Sequence, residues 1–323
     1  MTTSTIERIE KILDRINTHP EYSGNVKRER IESFRWDSVK HSADLEARSE
    51  AEHGIKGEKN PKVVFRNMGA AWDYLARYGI DVSSLGAIGR IIEPGSTKMD
   101  ASGFRRTEVN LGIPYKDVQF AMQKLAEDIN DINRLPSILR AIDAHIELLK
   151  IHPFVDGNGR AARLLQNFCL EQRGYPSAII PAQEKNLYLG LVRGTINARF
   201  KDESTALQPV GDERKFHDYI EGKILTSVEH LEQELRKRRI YEVHLEGLGD
   251  NGLFKTVKRV LRSTGKQPGK SGVTVNVYNR NTRNGADLYV AGNVGIDEVE
   301  HKLMHLSDKY GIRYKLGIKK GCC

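Results

Sequence analysis

HPFVDGNGRAAR occupies residues 152–163, and this short stretch decides how the rest of the chain is interpreted. It places a histidine, an aspartate, a glycine-rich turn and two arginines close together in sequence. Helical periodicity precedes it from Pro136 to Lys150 and follows it from Arg160 to Arg173. The pattern therefore predicts a loop between two helices that brings several chemically useful side chains together.

The glycines and arginines of this stretch are suited to binding a polyphosphate. Gly157 and Gly159 permit a tight turn, and the following helix offers unpaired N-terminal amides and the positive end of its dipole. Arg160 and Arg163 lie three residues apart on that helix, so their side chains project to nearby positions. Both can hold phosphate oxygens in charge-assisted hydrogen bonds.

His152 and Asp156 add a candidate base and a candidate metal ligand. A histidine with an ordinary pKa of about 6.5 can accept a proton from an attacking hydroxyl at neutral pH. The Asp156 carboxylate is a hard oxygen ligand, suited to Mg²⁺ that bridges two phosphates. The chain has neither G-x-x-x-x-G-K-[ST] nor a G-x-G-x-x-G that opens a helix after a strand, which excludes the two common nucleotide-binding folds.

The segment resembles the signature of the Fic family, H-P-F-x-[D/E]-G-N-G-R-x-x-R, and matches it at every fixed position. Residues 141–151 resemble the family's preceding helix, and residues 164–188 resemble the helix and Gly-Tyr-Pro turn that follow. The likeness extends over residues 28–205. It implies a mainly α fold, with a Fic-type helical core and a β-hairpin flap.

The resemblance implies a protein adenylyltransferase, which uses ATP and Mg²⁺ to place AMP on a Tyr, Ser or Thr hydroxyl of a target protein or of itself. His152 would deprotonate that hydroxyl for attack on the α-phosphate, with pyrophosphate leaving, and Asp156 would bind Mg²⁺. The nucleotide-binding residues implied are Gly157, Asn158, Gly159, Arg160 and Arg163. The turn amides and the Asn158 side chain would hold the α- and β-phosphates, and the arginines the β- and γ-phosphates.

A β-hairpin flap in the family aligns the target segment by strand addition, and residues 102–113, SGFRRTEVNLGI, resemble that flap. The alternation from Phe104 to Ile113 is typical of a strand. The residues expected to dock the target are Gly103, Phe104, Arg105, Thr107, Val109 and Leu111.

Many family members also carry an inhibitory helix with the pattern [S/T]-x-x-x-E-[G/N]. Residues 42–47, SADLEA, resemble this element and lie upstream of the signature, as in the class with an N-terminal inhibitory helix. Ala47 departs from the pattern, since Gly or Asn is expected there. The resemblance implies that Glu46, with Ser42, competes with the γ-phosphate for Arg163. Because Ser-x-x-x-Glu is also common on solvated helices, an ordinary surface helix is the other interpretation.

The length of 323 residues predicts two domains. We expect a catalytic domain over residues 1–210, a connecting helix within 211–248 and a small basic α+β domain of unknown role over 249–323. The helices expected in the first part lie at 4–17, 27–52, 64–78 and 115–131, with a turn at 22–25 and a glycine-punctuated, non-helical segment at 85–115. The last part is expected to hold helices at 253–263 and 297–310, strands near 273–279, 287–291 and 312–318, and a loop at 265–272.

The hydropathy pattern favours a cytoplasmic protein with no transmembrane segment. No stretch approaches 18 apolar residues, and the first residues lack the basic and then apolar pattern of a secretory signal. The cysteines, Cys169, Cys322 and Cys323, form no disulfide framework or metal-ligand spacing. The terminal pair resembles the prenylated tail of some small GTPases, but a chance terminus is the favoured explanation.

The net charge of +8 is unevenly distributed, because residues 252–323 hold 14 Lys or Arg against 5 Asp or Glu. Such asymmetry is typical of proteins that bind an acidic partner, whether nucleic acid, a membrane surface or another protein. A solvated basic face is the other interpretation. It supports an alternative function: a nucleic-acid- or protein-binding regulator that carries a modifying Fic module. Transfer or removal of a different nucleotide is a further alternative.

Overall fold

The computed structural model describes residues 4–18, 24–52, 60–96, 98–201, 204–236, 239–248, 251–264, 274–279, 285–292, 294 and 296–318. It divides into an N-terminal unit, Met1–Leu231, and a C-terminal unit, Glu232–Cys323. Of the turn expected at 22–25, residues 22 and 23 lie outside the described residues, and residues 24 and 25 belong to a helix instead. The loop at 265–272 and the Cys322–Cys323 tail also lie outside the described residues.

The N-terminal unit is built from helices, which confirms the predicted mainly α fold. They are α1 (Thr5–Thr18), α2 (Gly24–Glu52), α3 (Pro61–Tyr78), α4 (Val82–Ile92), α5 (Val118–Asn130), α6 (Ser137–Ile151), α7 (Asn158–Glu171), α8 (Lys185–Phe200) and α9 (Gly211–Arg236). Short 3-10 turns at Tyr115–Asp117 and Ala182–Glu184 lead into α5 and α8, and α9 runs across the boundary between the units.

Helices α6 and α7 form the centre of this unit and are joined by the loop 152–157. Both are buried along most of their length, and small residues such as Ala141, Ala144, Ala161 and Ala162 let them approach closely. Helix α2 packs on α3 and α7, and α5 packs on α6. The two central helices therefore fix the loop between them from both sides.

Helix α4 corrects the expectation that residues 85–115 are non-helical throughout. Asp81 caps it through a reciprocal pair, in which the Ser84 amide donates to Asp81 Oδ1 (2.6 Å) and the Asp81 amide donates to Ser84 Oγ (2.9 Å). The glycines of α4 do not form turns; they allow neighbouring segments to pack closely against the helix. A Cβ on Gly86 would lie 1.8 Å from the Ser102 carbonyl oxygen, and one on Gly89 would lie 2.2 Å from the Phe154 ring.

Residues 104–113 do not form the extended strand that their alternation predicts. Within the described residues of this segment, the pairing is an isolated antiparallel bridge between Met99 and Arg105, closed by a turn over residues 100–104. The rest of the segment bends around the Arg105 guanidinium, which donates to the carbonyl oxygens of Thr107 (Nη1, 2.9 Å) and Ile113 (Nη2). The carbonyl groups that would pair with a neighbouring strand therefore accept hydrogen bonds from the Arg105 side chain instead.

The C-terminal unit is an antiparallel sheet covered by two helices. Its elements are β1 (Arg239–Glu246), α10 (Asn251–Arg262), β2 (Thr274–Asn279), β3 (Gly285–Gly292), α11 (Ile296–Tyr310) and β4 (Arg313–Ile318). The sheet order β2-β3-β1-β4 with the chain order βαββαβ is the ferredoxin-like arrangement. Strand β1, which had no predicted counterpart, is central in the sheet: Tyr241, Val243 and Leu245 point into the core, and their neighbours point away.

Within the described residues, no helix is long and apolar enough to cross a membrane.

Candidate active site

His152 sits where α6 ends, in a left-handed conformation (φ 54°, ψ 56°) that no other described non-glycine residue shares. Its amide donates to the Leu148 carbonyl (2.9 Å). Its own carbonyl oxygen accepts from Arg105 Nε (2.8 Å), and the next carbonyl, Pro153, accepts from the Arg105 amide (2.9 Å). Left-handed backbone costs a non-glycine residue about 1 kcal/mol or more. The buried Arg105 side chain therefore helps to hold His152 in a conformation that the chain would otherwise leave.

The surroundings of His152 favour the neutral imidazole. Burial lowers the pKa of His152, and the nearby Arg105 guanidinium lowers it further, while a hydrogen bond to the Leu149 backbone and the Asp156 carboxylate oppose them. Since the net direction is downward from an ordinary value of about 6.5, the ring is unprotonated at neutral pH. His152 is thus able to accept a proton.

The loop after His152 is closed by Asn158. Its Oδ1 accepts from the Phe154 amide (3.0 Å) and its Nδ2 donates to the Phe154 carbonyl (2.8 Å). Phe154 is fully buried and stacks on Phe104, with 6.2 Å between the ring centroids. Both polar atoms of the Asn158 side chain are therefore engaged within the loop, and this corrects the expectation that the side chain is free to hold phosphates. Its backbone amide remains the group offered to an anion.

Gly157 precedes α7 with φ 84°, and its amide donates to Asp156 Oδ1 (2.6 Å). A Cβ at Gly157 would lie 2.9 Å from Ile92, and one at Gly159 would lie 3.3 Å from Arg163 Nη1. Side chains at either position would crowd the start of α7, where the first amides lack acceptors within the helix. The geometry leaves an anion-binding helix N-terminus beside His152.

Arg160 is buried and lies among three carboxylates. Its Nη1 is 2.5 Å from Glu93, and its Nη2 is 3.3 Å from Glu46 and 3.5 Å from Asp156. Glu93 follows the last residue of α4, so this guanidinium ties α7 to α4 and α2. The positive charge of Arg160 is therefore largely compensated by protein groups.

Arg163 is also buried, but the described residues offer it no carboxylate within 4.0 Å. Its Nε donates to Ser42 Oγ (2.8 Å), its Nη1 donates weakly to the Tyr188 hydroxyl (3.4 Å), and its guanidinium lies 5.6 Å from the Tyr188 ring centroid. Its Nη2 is buried with no hydrogen-bond partner in the described structure. A buried, uncompensated guanidinium beside a helix N-terminus fits an anionic ligand.

The predicted pairing of Glu46 with Arg163 is wrong in its partner. Glu46 forms an ion pair with Arg160, and Ser42 accepts a hydrogen bond from Arg163. Ser42 and Glu46 are one turn apart on α2, and Arg160 and Arg163 are about one turn apart on α7. The contacts run in opposite order along the two helices, so Glu46 contacts Arg160 in place of the expected Arg163.

A buried chain of polar groups supports Arg163 from behind, and the sequence reading missed it. His145 Nδ1 is 2.7 Å from Gln166 Oε1, and His145 Nε2 is 2.9 Å from the Tyr188 hydroxyl. Burial lowers the pKa of His145 to about 3, so the ring is neutral. Because Gln166 Oε1 only accepts, Nδ1 donates to it and Nε2 accepts from Tyr188, whose oxygen is then left to accept from Arg163.

The signals for this chain of groups were weak in sequence. Helical periodicity predicts only that His145 and Gln166 are buried in the core. Tyr188 belongs to no recognisable motif. Only the meeting of α6, α7 and α8 identifies them as a polar cluster. Such a cluster is visible once the helix packing is known, since a buried polar group requires a partner.

The six expected flap residues fall into two groups. Gly103, Phe104 and Arg105 are buried and belong to the support of the loop 152–157. Thr107 and Leu111 are exposed, and Val109 is half-buried. The only side chains of this set that a partner could reach without rearrangement therefore lie between residues 107 and 111.

The residues present fit a metal ion only in part. The Asp156 side chain is 54% exposed at the mouth of the loop, which suits a cation that also contacts a bound phosphate. The described part of the chain contains no cluster of three or more His, Cys, Asp or Glu that could hold a metal by itself. Any metal at this site would depend on ligands from the nucleotide.

Comparison with known proteins assigns the segment around this site. Residues 83–170 match the model of the Fic/DOC family. Protein adenylyltransferase Fic of Drosophila grimshawi is 41% identical over 96 residues, which cover 28% of this chain and 20% of that protein. The corresponding protein of Drosophila mojavensis is 42% identical over 96 residues, covering 28% of this chain and 19% of that protein. The match thus spans about a fifth of the length of these relatives.

Solved structures share the fold more widely. Fic-1 of C. elegans superimposes with a TM-score of 0.53 at 21% identity, covering 70% of this chain and 71% of that chain. A Fic family protein from Desulfovibrio desulfuricans G20 gives a TM-score of 0.50 at 16% identity, covering 91% of this chain and 98% of that chain. The comparisons thus match residues 83–170 to the Fic/DOC family, and the architecture shared with these structures is the Fic fold.

Proposed function

We propose that this chain transfers AMP from ATP to a hydroxyl side chain of a protein, with residues 152–163 as the catalytic centre. The observation that carries the proposal is the position of a neutral, half-buried His152 beside the open N-terminus of α7 and the uncompensated Arg163 guanidinium. A base and a polyphosphate site that adjoin each other are what nucleotidyl transfer requires. The names of the related Drosophila proteins support the same reaction.

In the proposed reaction, the substrate hydroxyl gives its proton to the His152 imidazole as its oxygen bonds to the α-phosphorus. The bond from that phosphorus to the bridging oxygen breaks, and pyrophosphate leaves. The first amides of α7 would bind phosphate oxygens, and Arg163 would take the negative charge near the leaving group through Nη2. Gly157 and Gly159 would keep this surface clear of side chains.

Asp156 would hold Mg²⁺ at this centre, and bound Mg²⁺ would neutralise charge on the phosphates. The Asp156 carboxylate is exposed and faces the same end of α7 as the glycine turn. Arg160, which is paired with Glu93, would mainly orient the start of α7 and the loop.

We propose further that α2 silences the enzyme. Ser42 engages Nε of Arg163, and Glu46 adds a carboxylate within 3.3 Å of Arg160, beside the site where phosphate charge would be placed. A carboxylate and a polyanion that approach neighbouring guanidinium groups repel each other. ATP would have to displace the Ser42 contact and approach against the Glu46 charge before its terminal phosphates reach Arg163.

The target would be a protein, and the same chain could serve as its own target. We propose that exposed residues of 107–111 receive an extended target segment by strand addition. The target hydroxyl would then lie near His152, because the flap and the His152 backbone are joined through Arg105.

The reaction is tested by incubating the full chain and a cell lysate with Mg²⁺ and ATP labelled at either the α- or the γ-phosphate. We expect label on protein only from the α-position, and a fall of about 10²- to 10⁴-fold in His152→Ala. Label only from the γ-position would mean phosphorylation. Labelled UTP or GTP as the preferred donor would move the proposal to another nucleotide, and label that persists in His152→Ala would end it.

Silencing by α2 is tested by Glu46→Gln, which removes the charge and keeps the helix-forming side chain. Glu32→Gln is the matched control, because Glu32 is an exposed residue of the same helix. We expect AMP transfer to rise by about ten-fold or more in Glu46→Gln and to stay unchanged in Glu32→Gln. Equal rates in both variants and the original chain would remove the inhibitory role.

The pH dependence gives a separate test of His152. Its neutral form is the base, and burial moves its pKa downward, so activity should persist below pH 6.5 and fall only at more acidic pH. The measurement is kcat/KM against pH in Glu46→Gln. An acid limb above about pH 6.5 would contradict the role assigned to the burial of His152.

A second candidate function, binding of nucleic acid by the C-terminal unit, is favoured by one helix. Lys255, Lys258, Arg259 and Arg262 repeat at helical spacing along α10 and form one basic face. The described ranges contain no carboxylate paired with any of the four. The outer face of the sheet is a poor alternative site, since Glu246 and Asp287 lie there around His244.

Binding through α10 would show a steep loss of affinity with rising salt, because phosphate contacts release counterions. We expect Lys255→Gln with Arg259→Gln to flatten this dependence for a single-stranded or duplex DNA. Lys302→Gln, on α11, is the control. A slope near zero in the original chain would leave the basic face as a solvated surface.

A further inference from the structure

We propose that the N-terminal unit contains a second ligand site, an organic-anion pocket at the ends of α6 and α7 that are remote from His152. A cavity of about 380 Å³ lies between the end of α3, the end of α5, the first half of α6 and the last turn of α7. Its size falls within the range of small-molecule sites, about 300–1,000 Å³.

The lining of this pocket combines apolar and polar groups. Leu75, Ile129 and Phe168 are buried beneath the floor, whereas Ala76 is exposed and Ile80 is half-buried at the cavity wall. Asn130 and Arg173 are exposed at the rim, and Asn130 Nδ2 donates to the Ile80 carbonyl (2.8 Å), which joins two walls of the pocket. A preformed cavity that offers both cationic and apolar side chains is suited to a small molecule with an anionic head and an apolar body.

Arg140 gives the pocket its charge. It lines the cavity, is only 6% exposed, and donates from Nη1 to the Asp131 carbonyl oxygen (3.1 Å). No carboxylate of the described chain lies within 4.0 Å of it. This contrasts with Arg134 nearby, which pairs with Asp128 (3.4 Å) and Asp143 (3.1 Å). A buried guanidinium that lacks a counter-charge is unfavourable unless a ligand supplies one.

Arg173 adds a second cation on the same cavity. The Cys169 thiol also lines the cavity; burial raises its pKa to about 12, although the charges of Arg140 and Arg173 lower it in part. The thiol is therefore protonated and carries no negative charge that could compensate the arginines. No Asp or Glu lines the cavity.

These features specify the ligand as a small organic acid. Its anionic head would pair with Arg140 and Arg173, and its apolar body would lie on Ala76 and Ile80. Inorganic phosphate offers the head without the body and would leave the floor unfilled.

This pocket is distinct from the proposed catalytic centre. Arg140 precedes His152 by about 18 Å of helix along α6, and Cys169 follows Asn158 by about 16 Å along α7. Both helices therefore reach from one site to the other, but the pocket uses none of the residues assigned to AMP transfer. Its test does not depend on that activity.

The test is isothermal titration of the full chain with sodium hexanoate, with hexan-1-ol as the neutral analogue and inorganic phosphate as the head alone. We expect saturable binding of hexanoate with a Kd on the order of 1 mM, and weaker binding of the other two probes. Arg140→Gln keeps an amide that can donate to the Asp131 carbonyl and removes the charge, so it should weaken hexanoate by about ten-fold. Arg134→Gln is the control and should retain the affinity.

Two further readouts separate a ligand site from a damaged protein. Without ligand, Arg140→Gln should melt no lower than the original chain, because an unpaired buried charge is removed. A crystal soaked with 6-bromohexanoate should give an anomalous bromine peak in the cavity. Absence of hexanoate binding, equal binding of hexanoate and hexan-1-ol, or unchanged affinity in Arg140→Gln would each overturn the proposal.

Discussion

The two units of the chain bury different kinds of groups. The N-terminal unit buries charged side chains, among them Arg105, Arg160, Arg163, Arg199 and Glu213, whereas the core described for the C-terminal unit is aliphatic and aromatic, with Thr264 as a buried polar residue. Burial of charge is costly and is tolerated where partners or ligands compensate it. The contrast locates the demanding chemistry in the N-terminal unit and leaves the C-terminal unit as a fold stabilised mainly by apolar packing.

The buried ion network around Arg199 should give the largest effect on stability. Arg199 pairs with Asp143 (2.9 Å), Glu147 (2.7 Å) and Glu213 (2.6 Å). Arg199→Met would leave buried carboxylates without their partner, so we expect a loss of about 3–5 kcal/mol in the free energy of unfolding. Urea unfolding at pH 7 measures it. A loss below about 1 kcal/mol would show that the carboxylates find other partners.

The same network predicts the direction of pH dependence. Burial alone would raise the pKa of Glu213. Its hydrogen bonds to His217 and Arg199 and the Arg199 charge outweigh burial and lower that pKa to about 2. A lowered native pKa gives stability that is complete above the ordinary value of about 4.5 and is lost as pH falls toward 2. The original chain should therefore lose this contribution on acidification, and Arg199→Met should show less of that loss.

A cavity made in the core of the C-terminal unit should lower the free energy of unfolding somewhat less than Arg199→Met does. It should also leave the chemistry of the N-terminal unit intact. Leu288 is fully buried on β3, and Leu288→Ala should cost about 2–5 kcal/mol through lost burial and an unfilled cavity. The AMP transfer proposed for the N-terminal unit should persist at temperatures where this variant remains folded. Two-probe unfolding together with the labelling assay tests this, and loss of transfer in the folded variant would break the distinction between the units.

Tyr188→Phe should have the smallest effect, and it is confined to the anion site. It removes the hydroxyl that joins His145 to Arg163 and keeps the ring under the guanidinium. We expect ATP affinity to fall about five-fold, with AMP affinity nearly unchanged, because the lost bond supports the group assigned to the terminal phosphates. Calorimetry in the Glu46→Gln background provides the measurement.

The control for Tyr188→Phe is Tyr219→Phe, which also removes a tyrosine hydroxyl that donates to a protein acceptor, Glu184 (2.8 Å). It should leave both affinities unchanged. Equal losses for ATP and AMP in Tyr188→Phe would indicate a general packing defect instead of a positioning role.

Sequence reasoning succeeds where one residue type meets a local requirement. The glycine turn, His152 and the two arginines were identified because their spacing alone brings them to one loop and one helix start. The helix periods were readable for the same reason, since each depends on residues three or four apart.

The errors arise where a residue's role depends on a distant segment. Gly86 and Gly89 indicate a turn in sequence, yet each is required by a neighbour, Ser102 or Phe154, that packs against α4. The partner of Glu46 depends on the direction in which α2 crosses α7, and no local pattern contains that direction. The His145–Tyr188 contact joins three helices, so it follows from packing and not from spacing.

The most direct test is calorimetric titration of ATP into three proteins that cannot turn over. They are the His152→Ala variant and the same variant with Ser42→Ala or Glu46→Gln added. If α2 occupies the arginines of a polyphosphate site, both α2 variants should bind ATP about ten-fold more tightly than the His152→Ala parent, with a smaller change for AMP. Equal ATP affinity in all three proteins, or no measurable ATP binding in any of them, would contradict it.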